Sequence, residues 1–299
     1  MKEFPIDSLK ELYIPPPGSH KGQNGKLLII GGSHLFHAAS LWSLKVASRI
    51  VDMVFYSSVP QNNQIVLEAK KEFRDGIVVP REKIEDYIEE ADCVLIGPGL
   101  LRMQEQIRNP NIEIRNIQEI NKIEDEGEQT YWLTKYLLEK YPQKRWVIDG
   151  GSLQMMDKEW LRGLGEVILT PHLKEFERMF GLSPTEENVE KMAKEYNCVI
   201  LRKGEEDVVC PPSSEAGSSG RCVIMKGGNA GMTKGGTGDV LAGLVAAFAC
   251  KNDLFLAACA GSYINKRAGD ELFKKVGYSF NASDLAEKIP EVMAHLIGR

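Results

Sequence analysis

The sequence predicts a doubly wound α/β domain with a mostly parallel central sheet. Its short apolar runs are continuous rather than alternating, as expected of strands that helices cover on both faces. Segments of helix length separate successive runs, which fits the right-handed crossovers of a parallel sheet. Small, polar or acidic residues follow the ends of these runs, and ligands bind at that edge of open α/β sheets. The functional site is therefore predicted beyond the carboxyl ends of the strands.

The elements follow one another in the order that such a fold requires. Apolar runs predicted to be strands span residues 26–30, 51–56, 93–96, 146–148, 167–169 and 198–201. Predicted helices span residues 38–50, 131–141 and 284–296. Residues 207–210 and 221–225 flank a loop rich in Pro, Ser and Gly, which predicts a late β-hairpin at an edge of the sheet.

We expect one domain across residues 1–299, interrupted by a polar insertion at about 103–129. This segment carries an acidic cluster at residues 124–128 and lacks the rhythm of alternating strands and helices. Its composition predicts a solvated insertion, and an interaction surface is the alternative.

Composition and charge narrow the classes of partner. The formal net charge is −5 and hydrophobic residues make up 43% of the chain. We therefore expect a sizeable core and no nucleic-acid or membrane partner that binds by bulk charge. No CxxC spacing occurs, so we predict buried free thiols in a reducing compartment, here the cytoplasm, rather than disulfides or a metal site. These cysteines are Cys93, Cys198, Cys210, Cys222, Cys250 and Cys259.

The strongest chemical signal is the glycine-dense segment 227–243, which runs into an apolar stretch expected to be a buried helix. A glycine loop entering a helix leaves backbone N–H groups free at the positive end of the helix dipole, where phosphate binds. Asp239 lies where the loop meets the helix. A carboxylate beside phosphate predicts a base for an attacking hydroxyl, although an aspartate there can simply cap the helix. The spacing is neither that of a Walker A motif nor that of a Rossmann turn.

Motifs along nearly the whole chain resemble one family. Residues 236–239, Gly-Thr-Gly-Asp, resemble the G-x-G-D signature of the ribokinase-like superfamily. The fuller pattern resembles the NAD(P)H-hydrate dehydratase family, the carboxy-terminal half of the two-domain NAD(P)HX repair proteins. Its marks occur at residues 20–22, 25–26, 31–33, 96–100, 169–172, 175–176, 201–204 and 229–243. The resemblance implies a ribokinase-like three-layer α/β/α sandwich.

The resemblance also implies a reaction, the dehydration of (6S)-NAD(P)HX to NAD(P)H. ADP or ATP would phosphorylate the ring hydroxyl, and phosphate would then leave as the ring double bond re-forms. Asp239 would be the base, while the backbone amides of Gly236, Thr237 and Gly238 would stabilise the transferred phosphoryl group.

Binding residues follow from the same resemblance. The hydrated nicotinamide is expected to contact Ala39, Gly99, His172 and Asp239. The adenine nucleotide is expected beside Lys203, Gly204, Glu205, Glu206, Asp207 and Gly238. Mg²⁺ would bridge phosphate oxygens and take few protein ligands, so no metal-ligating residue is predicted.

The chain departs from the family pattern on the substrate side. Residues 36–39 read Phe-His-Ala-Ala where a tyrosine and Gly-Ala are usual, and residues 149–153 lack a second acid. A small-molecule kinase acting on another hydroxyl is therefore one alternative, and a non-catalytic nucleotide sensor is another. The choice between ATP and ADP stays open, as do a homo-oligomeric state, with a tetramer as one possibility, and an epimerase supplied as a separate protein.

Overall fold

The computed structural model describes residues 2–103, 113–212 and 221–297. Its strands are β1 (Lys2–Glu3), β2 (Lys26–Ile30), β3 (Met53–Ser57), β4 (Ile77–Val78), β5 (Cys93–Ile96), β6 (Arg145–Ile148), β7 (Val167–Leu169), β8 (Val199–Arg202), β9 (Asp207–Cys210) and β10 (Val223–Met225). The first helices are α1 (His37–Ala47), α2 (Pro60–Ala69), α3 (Ile84–Glu90), α4 (Ile117–Ile120), α5 (Glu126–Lys140) and α6 (Gly150–Met155). They are followed by α7 (Leu173–Phe180), α8 (Glu186–Glu195), α9 (Thr237–Ala249), α10 (Leu254–Val276) and α11 (Ala282–Ile297). Short 3-10 helices span Ile6–Glu11, Arg81–Lys83, Lys158–Gly163 and Ala230–Thr233.

One sheet carries all ten of these strands, in the order β1-β10-β9-β8-β7-β6-β5-β2-β3-β4. Every neighbouring pair is parallel except β8 with β9 and β9 with β10, so β9 alone runs against the others. The parallel strands end at one edge, where the amide of Asp149 donates to Ile96 and that of Thr170 donates to Ile148. The predicted mostly parallel sheet and its late hairpin are confirmed.

Two hydrophobic cores make the fold a three-layer sandwich. Leu27, Ile29 and Leu95 pack with α1, α9, α10 and α11 on one face of the sheet. Leu28 and Ile96 point the other way and pack with α3, α4, α5, α7 and α8. Because neighbouring residues of one strand are buried in opposite cores, the strands read as continuous apolar runs. Within the described ranges, no helix has both the length and the apolar character needed to cross a membrane.

The cysteine prediction was wrong for two of the six residues. Cys210 and Cys222 form a disulfide with a Cα–Cα distance of 4.2 Å, while Cys93, Cys198, Cys250 and Cys259 are free and buried. The cause is the register of the hairpin, in which Val209 pairs with Val223 and the two cysteines are the next facing pair. Facing residues of antiparallel strands lie close together, and a separation of 12 residues across a loop hid this in the sequence.

The predicted polar insertion is not solvated throughout. Ile117 and Ile120 of α4 are fully buried, and they pack in the core on the α5 side of the sheet. Residues 104–112, also part of the predicted insertion, lie outside the described residues, as does most of the loop between β9 and β10. That the whole chain is one domain stays a prediction.

Candidate functional site

The amino-terminal turn of α9 is the centre of the site. Gly236 is the N-cap of this helix, with φ of 97°, a conformation that L side chains rarely adopt. A β-carbon at Gly236 would also overlap the ring of Trp42. The predicted glycine-to-helix transition is therefore present, and Gly236 is required for its geometry.

The side chain of Thr237 is committed to the loop before α9. Its hydroxyl donates to the carbonyl oxygens of Met232 at 2.6 Å and Lys234 at 2.9 Å. The amide of Gly238 has no backbone acceptor among the described residues, as expected in the first turn of a helix. Thr237 thus fixes the turn, and its own amide donates to Lys234 at 3.4 Å, unlike the prediction that it binds the phosphoryl group. The Gly238 amide, at the positive end of the helix dipole, can bind an anion.

Asp239 lies in the same turn and is half-buried. Burial, followed by the nearby carboxylates of Asp149 and Glu175, raises the pKa of Asp239 from 3.8 to about 7, with the Lys203 cation opposing the increase. A carboxylate with a pKa near 7 can take up a proton from a substrate and give it up again at neutral pH. The geometry gives Asp239 the properties of a general base.

A buried ion pair lies beside this turn. The ammonium group of Lys203 donates to Asp149 at 2.7 Å, and the hydroxyl of Thr170 donates to the same carboxylate oxygen at 2.7 Å. Burial disfavours the charged form of Lys203, but Asp149 and Glu175 keep its pKa above the ordinary value. A β-carbon on Gly238 would be 3.7 Å from the Lys203 ammonium. A fixed cation therefore lies next to the anion-binding turn.

The first cavity, of about 1290 Å³, opens on one side of α9. It is lined by Gly236 and Asp239, and also by two predicted substrate contacts, Ala39 and Gly99. These two residues are adjacent, because a β-carbon on Gly99 would lie 2.8 Å from that of Ala39. Further residues that were not predicted from the sequence line the same space, namely Phe36, His37, Trp42, Arg102, Gln154 and Arg178.

A second cavity, of about 720 Å³, lies on the other side of the same helical turn. The predicted nucleotide contacts that line it are Lys203, Gly204, Glu205, Asp207 and Gly238, whereas Glu206 is exposed and lines neither cavity. The two cavities have no lining residue in common. Residues of one helical turn thus line different cavities. Gly236 and Asp239 line the first, and Thr237 and Gly238 line the second.

His172 lies in the second cavity, away from the other predicted substrate contacts. It is the N-cap of α7, where its Nδ1 accepts hydrogen bonds from the amides of Lys174 and Glu175. The carboxylate of Glu175 accepts in turn from the amide of His172 at 2.9 Å. Beside this reciprocal cap, Nε2 of the half-exposed ring lies 3.3 Å from Oε1 of Glu175, and the ring borders the cavity.

Lys266 of α10 bridges the loops that line the second cavity, and its role was not predicted from the sequence. Its buried ammonium group donates to the carbonyl oxygens of Gly204, Glu205 and Gly227, and it lies 3.4 Å from the carboxylate of Asp207. Asp207 is therefore committed to internal contacts and not free to bind a ligand. The one signal in the sequence was a lysine among the small and apolar residues of a buried helix.

Metal binding by the protein alone finds no support in the described ranges. No three His, Cys, Asp or Glu side chains there are arranged to hold an ion. Asp149 and Glu175 are the buried acids that act electrostatically on Asp239. Asp149 already accepts hydrogen bonds from Lys203 and Thr170, and Glu175 accepts one from Gln154. This donor set fits an ion carried by phosphate oxygens and water, as Mg²⁺ usually is.

The missing second acid of residues 149–153 has a steric explanation. A β-carbon on Gly151 would overlap the backbone of Leu100, so this backbone conformation has no space for a side chain at position 151. Asp149, the acid that is present, is used for the ion pair with Lys203.

Comparisons with known proteins identify the family of the chain. A profile of the NAD(P)H-hydrate dehydratase family matches residues 27–291. The bifunctional NAD(P)H-hydrate repair enzyme of Methanocaldococcus jannaschii is 34% identical over 293 residues, which cover 95% of this chain and 51% of that protein. The chain thus spans about half the length of the bifunctional relatives. The ADP-dependent (S)-NAD(P)H-hydrate dehydratase of Nitrosopumilus maritimus is 31% identical, with 96% of this chain and 95% of that protein covered.

Solved structures share the fold. The ADP/ATP-dependent NAD(P)H-hydrate dehydratase of Bacillus subtilis, co-crystallised with ATP and Mg²⁺, superposes with a TM-score of 0.76 at 21% identity, covering 99% of this chain and 98% of that one. A ribokinase-like superfamily protein of Enterococcus faecalis gives a TM-score of 0.79 at 22% identity, covering 100% of this chain and 97% of that one. From the profile match and the near full-length relatives, the chain belongs to the NAD(P)H-hydrate dehydratase family.

Proposed function

We propose that this chain uses ADP or ATP to dehydrate (6S)-NAD(P)HX, restoring NAD(P)H. One observation carries the proposal: a single turn of α9 separates two cavities, with the basic carboxylate of Asp239 at one and Gly238, whose amide has no backbone acceptor among the described residues, at the other. A hydroxyl acceptor in the first cavity and a phosphoryl donor in the second would meet at this turn. The near full-length relative of N. maritimus bears the name of this activity.

In the first step, Asp239 takes the proton of the ring hydroxyl as the hydroxyl oxygen attacks the terminal phosphorus of the nucleotide. The bond from that phosphorus to the bridging oxygen breaks, and AMP leaves from ADP or ADP from ATP. Negative charge on the transferred group is stabilised by the amide of Gly238, by the dipole of α9 and by the Lys203 ammonium beside it. Asp149 acts through Lys203 as a positioning residue, since it fixes the ammonium at 2.7 Å.

In the second step, the phosphorylated ring loses phosphate and a proton from the neighbouring carbon, and the double bond re-forms. Phosphate is a far better leaving group than hydroxide, so the nucleotide is consumed to make the elimination possible. The first cavity, at about 1290 Å³, exceeds the usual size of a small-molecule site and suits a dinucleotide.

Several parts of the proposal rest on the family rather than on the geometry. A nucleotide-bound Mg²⁺ would neutralise phosphate charge, and the B. subtilis dehydratase was co-crystallised with both ATP and Mg²⁺. A cytoplasmic location, a homo-oligomer and a separate epimerase stay predictions.

The test is the recovery of absorbance at 340 nm when purified protein is mixed with prepared NADHX, Mg²⁺ and either ADP or ATP. We expect recovery that depends on the nucleotide, and its abolition in Asp239→Asn. Asp75→Asn is the matched control, because Asp75 is exposed and lines neither cavity. Folded wild-type protein that binds ADP but restores no absorbance with either donor would refute the dehydratase proposal.

A small-molecule kinase is the second candidate, favoured by the altered residues 36–39 in the wall of the first cavity. It predicts a stable phosphorylated alcohol and no elimination. Phosphorus NMR of the reaction mixture separates the two candidates, because the dehydratase releases inorganic phosphate.

A further inference from the structure

The buried polar side chains of α10 beside the second cavity have partners, with one exception. Ser262 donates to Asp207 at 2.7 Å, and Lys266 donates to three carbonyl oxygens. Asn265 lies between them in sequence and is 4% exposed, yet its Oδ1 accepts no hydrogen bond from any described residue. A buried carbonyl oxygen without a donor is unfavourable, so a ligand group that donates to this oxygen would be bound favourably.

Asn265 lines the second cavity together with two groups suited to phosphate. Those groups are the amide of Gly238 and the ammonium of Lys203. The same cavity is also lined by the apolar Leu241 and Met232 and by the side-chain-free Gly227 and Gly228. Apolar surface beside bare backbone suits a flat aromatic ring, so the cavity combines groups for phosphate with surface suited to a base.

We infer that the Asn265 carboxamide recognises the edge of the adenine base; the inference rests on the nucleotide site of the proposed function. Adenine presents its exocyclic amino donor next to a ring-nitrogen acceptor, and an asparagine amide pairs with both at once. The amide nitrogen and oxygen can exchange places by rotation, so either edge of the base can be matched.

Neighbouring polar groups cannot take this role, because they are already bonded. The Oδ1 of Asn229 accepts from the amide of Gly231 at 3.0 Å, and its Nδ2 donates to Gly269. The hydroxyl of Thr233 donates to Ala230 at 2.8 Å. Asn265 is thus the buried, uncommitted hydrogen-bonding group in the wall that the structure describes.

The first measurement needs no variant. Isothermal titration calorimetry of the full chain compares ADP with purine riboside 5′-diphosphate, which lacks only the exocyclic amino group. We expect ADP to bind at least about fivefold more tightly, the lower end for one good bidentate contact. Equal affinities would overturn the inference.

The second measurement uses Asn265→Leu, which keeps the volume and removes both polar atoms. In this variant the two diphosphates are expected to bind equally, with the loss falling on ADP. Asn121→Leu is the matched control, since Asn121 is exposed and lines neither cavity, and it should keep the wild-type preference. Discrimination retained in folded Asn265→Leu would overturn the inference.

The outcomes remain separable from those of the dehydratase assay. Preference for ADP that depends on Asn265, without recovery of absorbance at 340 nm, would support base recognition and refute the dehydratase. Recovery of absorbance with equal binding of both diphosphates would support the dehydratase and refute base recognition by Asn265.

Discussion

Replacing Asp239 with asparagine is expected to abolish turnover and to stabilise the protein at high pH. The pKa of Asp239 is raised from 3.8 to about 7, mainly by burial. At about 1.4 kcal/mol for each factor of ten in proton affinity, this difference corresponds to at most about 4 kcal/mol. The ionised carboxylate is therefore a source of instability that the chain retains at its site.

The sign of the pH dependence follows from the same pKa. Between about pH 4 and pH 7 the folded protein holds a proton on Asp239 that the unfolded chain has lost, so rising pH removes stability from the wild type. Above pH 7 both states are ionised and the loss is complete. Asp239→Asn has no such titration, so its stability relative to the wild type should increase by about 2–4 kcal/mol from pH 4 to pH 8.

Urea unfolding followed by circular dichroism at several pH values measures this difference directly. Carboxylates remote from Asp239 titrate alike in both proteins and cancel in the comparison, whereas the interaction of Asp239 with Asp149 and Glu175 is part of the measured difference. Asp75→Asn, at an exposed site, should show no pH-dependent difference from the wild type. Parallel stability curves for Asp239→Asn and the wild type would show that the carboxyl group is not desolvated, and the argument for a base with a pKa near 7 would be refuted.

Three further substitutions test the surroundings of the turn and the hairpin. Lys203→Met leaves Asp149 buried without its cation and should cost about 3–5 kcal/mol of unfolding free energy. Lys194→Met, at the exposed ion pair with Glu190, should cost under about 1 kcal/mol, and similar losses in the two variants would contradict the buried pair. Gly236→Ala should lower stability by about 2 kcal/mol or more and lower the melting temperature, whereas Gly235→Ala, whose β-carbon meets nothing, should not. Cys210→Ala should lose about 3 kcal/mol relative to the oxidised wild type and much less relative to the reduced one, and an equal loss in reductant would exclude the disulfide as the cause.

The class of fold was predictable because a strand that is buried on both faces has a continuous run of apolar residues in the sequence. Continuous apolar runs such as residues 93–96 could be recognised without any knowledge of their neighbours. The turn at Gly236 and Asp239 was predictable for a similar reason, since glycine, helix start and carboxylate are contiguous in the chain. A site formed by residues that are contiguous in the chain can be predicted from a single sequence.

Pairings between distant segments were not predictable. The Lys203–Asp149 pair spans 54 residues, and the Lys266 contacts reach segments about 40 and 60 residues away. Each depends on which strands are neighbours and on their register, which the residue pattern does not encode. The same gap in knowledge explains the missed disulfide and the placement of His172 on the nucleotide side.

The division of residues 236–239 between the two cavities has a consequence for the length of the chain at this point. Successive helical residues point about 100° apart, so one inserted or deleted residue before Asp239 would rotate the carboxylate away from the first cavity. Thr237 and Gly238 could be replaced at some cost, but the number of residues could not change without altering which cavities the Asp239 carboxylate and the Gly238 amide face. The spacing of this turn is thus a constraint on insertions and deletions, separate from any constraint on composition.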